Sequence, residues 1–162
     1  KEFAFERWAD WDVDLFEKIE ESLLSKTRDF HYKIMGYDKS PSAVAKAKDN
    51  IKNAHLEEFI SIKHEDFFKT QKAGEDKLHM VFNPPYGERL DIEMEEFYKN
   101  IGDTLKQGYP GTDAWFITSN LDALKHVGLR PSRKIHLVNA KLEARFVKYV
   151  MYEGSKKAKY NN

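Results

Sequence analysis

The spacing of apolar positions changes along the chain and predicts helices that alternate with strands. Residues 12–25 repeat apolar side chains every three to four positions, as one face of a helix does. Ser40-Pro41 predicts the start of a second helix, because serine caps helix N-termini and proline suits the first helical position. That helix would carry Val44, Ala47, Ile51 and Ala54 on one face.

Short apolar runs between the helical patterns predict four strands, at 32–37, 59–64, 78–82 and 114–118. A helix that contains Phe97, Ile101 and Leu105 precedes the fourth strand, and a short helix follows it. Residues 134–139 and 143–152 read as two strands separated by only a few residues. This spacing predicts an antiparallel hairpin at the end of the chain.

Alternation of strands and helices that ends in a hairpin predicts an α/β fold, with a mostly parallel sheet and a C-terminal antiparallel hairpin. Ligands of such sheets bind beyond the carboxyl ends of the strands. Asp38, Asp66 and Asn83 each follow a predicted strand at that end. The sequence therefore predicts one ligand site that these three side chains share. Residues 154–162 are expected to form a polar tail.

The amino-acid composition excludes several kinds of functional site for this chain. The chain has 162 residues, 41% of them hydrophobic, and no cysteine, which excludes disulfides, thiol nucleophiles and cysteine-based zinc sites. The histidines lack metal-ligand spacing, so no metal is expected. No apolar run approaches the roughly 20 residues of a membrane span, so no membrane is expected either.

Charge is distributed unevenly, although the formal net charge is zero. Residues 125–159 carry ten Lys and Arg against two Glu. A basic segment of this kind could face nucleic-acid phosphates. A solvated face followed by a polar tail is the structural alternative.

The segment Asn83-Pro84-Pro85-Tyr86 carries the most specific chemistry of the chain. Two prolines cannot continue a central strand, so the strand ends in a stiff segment whose carbonyls can accept hydrogen bonds. An asparagine oxygen and a proline carbonyl can together accept both hydrogens of an exocyclic amino group, which directs its lone pair at an activated methyl donor. Tyr86 could stack on the base. The alternative is a strand-terminating turn without chemistry.

Asp38 and Asp66 follow the first and second predicted strands. An acidic residue at such a strand end binds ribose hydroxyls in nucleoside-binding α/β folds, which makes Asp38 a candidate cofactor ligand. Asp66 could accept a hydrogen bond from an adenine amino group while Phe67 or Phe68 packs on the ring. The structural alternatives are a second helix cap beside Ser40 for Asp38 and a turn for Asp66.

Together these strand ends resemble those of the class I, Rossmann-like methyltransferases that methylate amino groups. Three stretches are similar, more narrowly, to the methylase domain of the THUMP-associated 23S rRNA guanine-N2 methyltransferases; they are Phe3–Trp8, Val81–Leu90 and Asn139–Phe146. The resemblance covers nearly the whole chain. The Asn-Pro-Pro-Tyr-Gly-Glu-Arg and Leu-Glu-Ala-Arg stretches are specific only together, because Asn-Pro-Pro-Tyr alone occurs in adenine, cytosine and glutamine methylases.

The resemblance implies S-adenosyl-L-methionine as cofactor and assigns residue roles. The cofactor-binding residues would be Asp38 at the ribose, Lys39, Asp66 at the adenine, Phe67 and Asn83. The catalytic residues would be Asn83, Pro84, Pro85 and Tyr86, with Tyr86 and Arg89 in contact with the substrate. The implied partner is structured RNA, 23S rRNA, in the cytoplasm, with an RNA-binding THUMP domain N-terminal to this chain.

One departure from the family pattern affects both the fold and the cofactor site. The family's first strand and its glycine-rich cofactor loop are expected to precede Lys1, so residues 1–153 would form an N-terminally incomplete catalytic domain. Such a domain would have a split sheet and half a cofactor pocket. Two other functions stay open, an adenine-N6 methylase of RNA or DNA and a degenerate methylase fold that serves as a binding module. A nicotinamide oxidoreductase would need a Gly-x-Gly-x-x-Gly loop, which is absent.

Overall fold

The computed structural model describes residues 3–85, 93–139 and 142–153, with only the backbone of residue 139. Three α-helices span α1 Val13–Leu24, α2 Pro41–Asn53 and α3 Met94–Gly108. Six strands span β1 Ile34–Asp38, β2 Ile60–His64, β3 Leu78–Phe82, β4 Thr112–Thr118, β5 Arg133–Asn139 and β6 Leu142–Val150. Short 3-10 helices cover Ala4–Arg7, Phe67–Lys69 and Ala123–Val127. The predicted tail, 154–162, lies outside the described residues.

Polar side chains fix where α1 and α2 begin. The Asp12 carboxylate accepts a hydrogen bond from the Leu15 amide at 2.9 Å, and the Ser40 hydroxyl accepts one from the Ala43 amide at 3.4 Å. Both contacts satisfy amides that have no partner within the helix itself. The predicted helix starts are therefore confirmed, including proline at the first turn of α2.

The apolar face predicted for α1 does not pack into the core of the described residues. No residue of α1 is buried, and Leu23 is 62% exposed. Phe16 is the exception on this face, because its ring lies 5.1 Å from that of Trp11 and 6.2 Å from that of Phe5. The beginning of the chain thus forms a small aromatic cluster around the first turns of α1.

The described strands form two separate sheets. β1 and β2 pair in parallel, and the second sheet has the order β3-β4-β6-β5. β3 and β4 are parallel, whereas β6 is antiparallel to both β4 and β5. The α/β fold, the C-terminal hairpin and the split sheet agree with the predictions. Within this hairpin, β6 pairs with β4 as well as with β5 and so lies inside the sheet, where Val147 and Tyr149 are fully buried.

The main core lies between α3 and the second sheet. Tyr98, Ile101 and Leu105 of α3 pack against the buried side chains of β4 and β6. The 3-10 helix Ala123–Val127 also packs on α3 and contributes Ala123 and Val127 to this core. A Cβ added at Gly102 would lie 1.8 Å from the Val127 carbonyl oxygen, so only glycine allows this approach.

The 3-10 helix Phe67–Lys69, here called the bridging turn, joins the two sheets. It begins directly after Asp66, close to the carboxyl end of β2. The Phe67 ring lies 5.3 Å from that of Phe82 in β3, and the Phe68 ring lies 5.1 Å from that of Phe97 in α3. The bridging turn therefore brings the carboxyl end of the first sheet next to that of the second.

Among the described residues, no helix combines the length and the apolar character that crossing a membrane requires.

Candidate active site

The end of β1 places Asp38 at an exposed position. One carboxylate oxygen of Asp38 accepts a hydrogen bond from the Ser40 amide at 2.7 Å. The backbone carbonyl of Asp38 accepts another from the Glu65 amide at 3.0 Å, which ties together the ends of β1 and β2. Ser40, not Asp38, caps α2. Within the described ranges, the second carboxylate oxygen of Asp38 makes no hydrogen bond or ion pair.

Asp66 and Lys39 lie beside each other at the same strand ends. One Asp66 oxygen accepts a hydrogen bond from the Phe68 amide at 3.1 Å and caps the bridging turn. The other oxygen lies 3.8 Å from the Lys39 ammonium nitrogen. The Asp66 side chain is 26% exposed, so it is held by the protein on one side and open on the other. Asp38, Lys39 and Asp66 thus occupy one end of the first sheet, as the sequence predicts.

Phe67 is packed mainly against the protein. Its half-buried ring lies 5.3 Å from that of Phe82 and 6.0 Å from that of Tyr109. Packing against these two rings is sufficient to explain why an aromatic residue occupies position 67. A contact between Phe67 and an adenine ring stays a prediction.

The Asn83-Pro84-Pro85 segment follows β3, and its three residues differ in how far they are exposed to solvent. Asn83 is exposed, Pro84 is buried and Pro85 is half-buried. Within the described parts of the chain, the Asn83 amide has no hydrogen-bond partner. An exposed amide oxygen of this kind can accept a hydrogen bond from solvent or from a ligand. Tyr86 and Arg89, predicted to contact the substrate, lie outside the described residues.

A buried polar network lies directly behind this segment. The Tyr98 hydroxyl of α3 is 2.5 Å from the Thr118 hydroxyl at the end of β4, and 3.5 Å from the Pro85 carbonyl oxygen. The Asn120 amide donates to the Thr118 hydroxyl at 3.0 Å. None of these three polar residues was among the predicted site residues. The run Thr118-Ser119-Asn120, polar residues at the end of an apolar strand, was the available signal.

The arrangement provides acceptors rather than an acid–base pair. Carboxylates at the first sheet can accept hydrogen bonds from hydroxyl or amino groups of a cofactor. An amide oxygen at the second sheet can accept one from an amino group of a substrate. In the described ranges, no three His, Asp or Glu side chains cluster as metal ligands would. A site of this kind can hold two molecules next to each other and orient an amine.

Strand order and strand-end site together define a Rossmann-like methyltransferase fold. The solved structure of SMU.472 in complex with SAH superimposes with a TM-score of 0.79 at 23% identity, over 96% of this chain and 41% of that one. A possible methylase from Clostridium difficile 630 gives a TM-score of 0.77 at 26% identity, over 96% of this chain and 42% of that one. The fold class predicted from the sequence is thereby confirmed.

The chain belongs to the RMKL-like methyltransferase domain family, whose model matches residues 4–148. The ribosomal RNA large subunit methyltransferase K/L of Hahella chejuensis is 31% identical over 159 residues, which cover 93% of this chain and 22% of that protein. A Synechocystis relative is 29% identical, and this chain spans 40% of its length. The chain therefore spans less than half of these relatives. The methyltransferase resemblance predicted from the sequence is confirmed.

Proposed function

We propose that this chain forms part of a methyltransferase that moves a methyl group from S-adenosyl-L-methionine to an exocyclic amino group of an RNA base. Guanine N2 of 23S rRNA is the acceptor we favour, because the Asn-Pro-Pro-Tyr-Gly-Glu-Arg and Leu-Glu-Ala-Arg stretches resemble those of 23S rRNA guanine-N2 methyltransferases. The Hahella chejuensis relative, a ribosomal RNA large subunit methyltransferase, supports RNA as the substrate. The observation that carries the proposal is the exposed Asn83 amide, which has no hydrogen-bond partner among the described residues and follows β3. An exposed amide at the carboxyl end of a strand lies where ligands of such sheets bind, and its oxygen can accept a hydrogen bond from an amine.

The cofactor would bind at the first sheet. Asp38, exposed and with one oxygen available, fits a ribose hydroxyl, and Asp66 fits the adenine amino group. Lys39 and Phe67 flank Asp66 and would line the same pocket. When bound, the cofactor supplies an electrophilic methyl group.

The acceptor amine would bind at the second sheet. Asn83 and the Pro84 carbonyl would accept its two hydrogens, so that the nitrogen lone pair faces the methyl group. Tyr86 would stack on the base, and Arg89 would contact the RNA. The contacts of the bridging turn with β3 support this scheme, because they bring the two strand ends together.

The test replaces Asn83 with alanine in the full-length polypeptide. We expect methylation of 23S rRNA to fall by about 100-fold or more, because the amine loses one of its orienting acceptors. Binding of S-adenosyl-L-methionine, measured by calorimetry, should persist and show that the fold is intact. Asn53→Ala is the matched control, since Asn53 is an exposed asparagine at the end of α2, away from the strand-end site.

Mass spectrometry of the nucleosides identifies the acceptor. N2-methylguanosine supports the proposal, whereas N6-methyladenosine would assign the same residues to an adenine methylase. Full activity of Asn83→Ala would overturn the role given to Asn83. A wild-type protein that binds no S-adenosyl-L-methionine would favour a degenerate fold that serves as a binding module.

A further inference from the structure

We propose that Tyr98 and Thr118 are positioning residues, which orient the Asn83-Pro84-Pro85 segment through the carbonyl group of Pro85. This inference rests on the proposed function and deepens it. The hydroxyl groups of Tyr98 and Thr118 are 2.5 Å apart, and both side chains are fully buried. A buried hydroxyl costs free energy unless it is hydrogen-bonded, so this pair has a defined geometry.

Either hydroxyl can donate in the Tyr98–Thr118 pair, but one arrangement of the protons satisfies all three contacts. In it the Thr118 hydroxyl accepts from the Asn120 amide at 3.0 Å and donates its own proton to Tyr98. The Tyr98 hydroxyl then donates to the Pro85 carbonyl, 3.5 Å away, which can only accept. Hydrogen bonds aligned in one direction polarise and strengthen one another. We assign this arrangement, in which the donors run from the Asn120 amide to the Pro85 carbonyl.

The segment is short and stiff, so two attachment points control it. At its start, Phe82 is the last residue of β3 and pairs with Phe116 of β4. At its end, Pro85 contacts Tyr98. Only Asn83 and Pro84 lie between these points, and proline holds its φ angle near −65°. The orientation of the Pro85 carbonyl therefore restricts where the Asn83 amide and the Pro84 carbonyl point.

Rigid elements support the network from behind. The Asn120 side chain accepts a hydrogen bond from the Ala123 amide at 2.9 Å and so fixes the start of the 3-10 helix Ala123–Val127. That helix packs on α3, which also carries Tyr98, through the close approach at Gly102. Tyr98 and Thr118 thus both lie on elements of the main core, α3 and β4. Such support holds a reacting geometry more accurately than a free loop does.

The test replaces Tyr98 with phenylalanine in the full-length polypeptide, which removes the hydroxyl and keeps the ring. We expect kcat for methyl transfer to fall about 10- to 100-fold, because small errors in acceptor geometry are costly in the transition state. The KM for RNA and the Kd for S-adenosyl-L-methionine should change little. Thr118→Val should have a similar effect, and Thr118→Ser, which keeps the hydroxyl, should restore kcat.

Tyr149→Phe is the matched control. Tyr149 is also a fully buried tyrosine of the same core, but within the described residues its hydroxyl has no hydrogen-bond partner. Removal of that hydroxyl should leave kcat unchanged. Equal kcat values for Tyr98→Phe and Tyr149→Phe would overturn the inference, as would a loss of kcat in Thr118→Ser as large as in Thr118→Val.

A second measurement separates this inference from the proposed function. The NMR signals of the Asn83 side-chain amide and the Pro85 carbonyl carbon should shift in Tyr98→Phe and stay in place in Tyr149→Phe. If the wild-type protein methylates no RNA base but these signals shift, the proposed function fails and the positioning role stands. Unchanged signals in Tyr98→Phe would overturn the positioning role whatever the activity.

Discussion

At the scale of single residues, Asp113 illustrates how a buried charge is held in this fold. Its side chain is only 6% exposed, and one carboxylate oxygen lies 2.9 Å from the Lys148 ammonium and 3.1 Å from that of Lys77. Burial acts to raise the pKa of Asp113, but the hydrogen bonds from Lys148 and Lys77 outweigh it and hold the pKa below its usual value. The carboxylate therefore stays ionised at neutral pH and joins β4 to β6.

We expect Asp113→Asn to lower the free energy of unfolding at pH 7 by about 1–3 kcal/mol, because hydrogen bonds to a charged group are lost. In the wild-type protein this contribution is present above the ordinary aspartate pKa of about 3.9 and is lost as the pH falls through the lowered pKa of the folded state. The variant should therefore approach the wild type in acid. Urea unfolding at pH 7 and pH 3 measures both values.

Asp49→Asn is the control for that comparison, because Asp49 is exposed on α2. Its unfolding free energy should match that of the wild type at either pH. An Asp113→Asn protein as stable as the wild type at pH 7 would show that the two lysines do not stabilise the fold.

The sequence predicts where Asp38, Asp66 and Asn83 lie better than it predicts the buried polar network behind the Asn83-Pro84-Pro85 segment. Asp38, Asp66 and Asn83 are polar residues at the ends of apolar strands, and their type and position together indicate ligand contacts. Tyr98 instead lies on the apolar face of α3, where the sequence pattern predicts only that a tyrosine packs in the hydrophobic core. Its contact with Thr118 joins residues far apart in the chain, which periodicity does not reveal.

At the scale of secondary-structure elements, the contact between α3 and the 3-10 helix Ala123–Val127 depends on one missing side chain. We expect Gly102→Ala to lower the free energy of unfolding by about 3 kcal/mol, because its Cβ would meet the Val127 carbonyl oxygen at 1.8 Å. This cost exceeds the gain of about 1 kcal/mol that alanine brings to a helix interior. Chemical denaturation measures the difference.

Gln107→Ala controls for helix propensity, since Gln107 is exposed on the same helix. It should be neutral or slightly stabilising. If Gly102→Ala were as stable as this control, the two helices could not be as close as described.

Short sequence patterns predict most helices and strands, whereas the pairing of the strands depends on contacts between distant parts of the chain. Ser40-Pro41 marks the start of α2, and the prolines after Phe82 mark the end of β3, because both act on their own backbone. The position of β6 between β4 and β5 follows instead from the burial of Val147 and Tyr149 against β4. A hairpin pattern does not state which of its strands pairs inward.

At the scale of the whole molecule, the two sheets differ in how firmly their backbones are protected. β4 and β6 lie inside the four-stranded sheet and contribute the fully buried Phe116, Val147 and Tyr149. β1 and β2 form a two-stranded sheet with no buried residue. Two-stranded sheets are marginal unless another element supports them, as α2 does here.

We expect amide hydrogen exchange in the 162-residue chain to occur in two stages. Amides of β1 and β2 should exchange first, through local opening, and those of β4 and β6 should require unfolding of the main core. Mass spectrometry of peptides from each sheet measures the two rates. Equal protection of both sheets would show that they unfold as one unit.

The division of the strands into two sheets also leaves strand edges to which a strand of another molecule can be added. In the described part of the chain, β3 is an edge strand and β1 pairs on one side alone, so both present unpaired backbone amides and carbonyls. Apolar side chains accompany them, among them Val81, which is 70% exposed. Such edges can add a strand from another molecule, and burial of their apolar side chains favours that addition. A strand that pairs with either edge would therefore satisfy its open backbone groups and bury these apolar side chains at the same time.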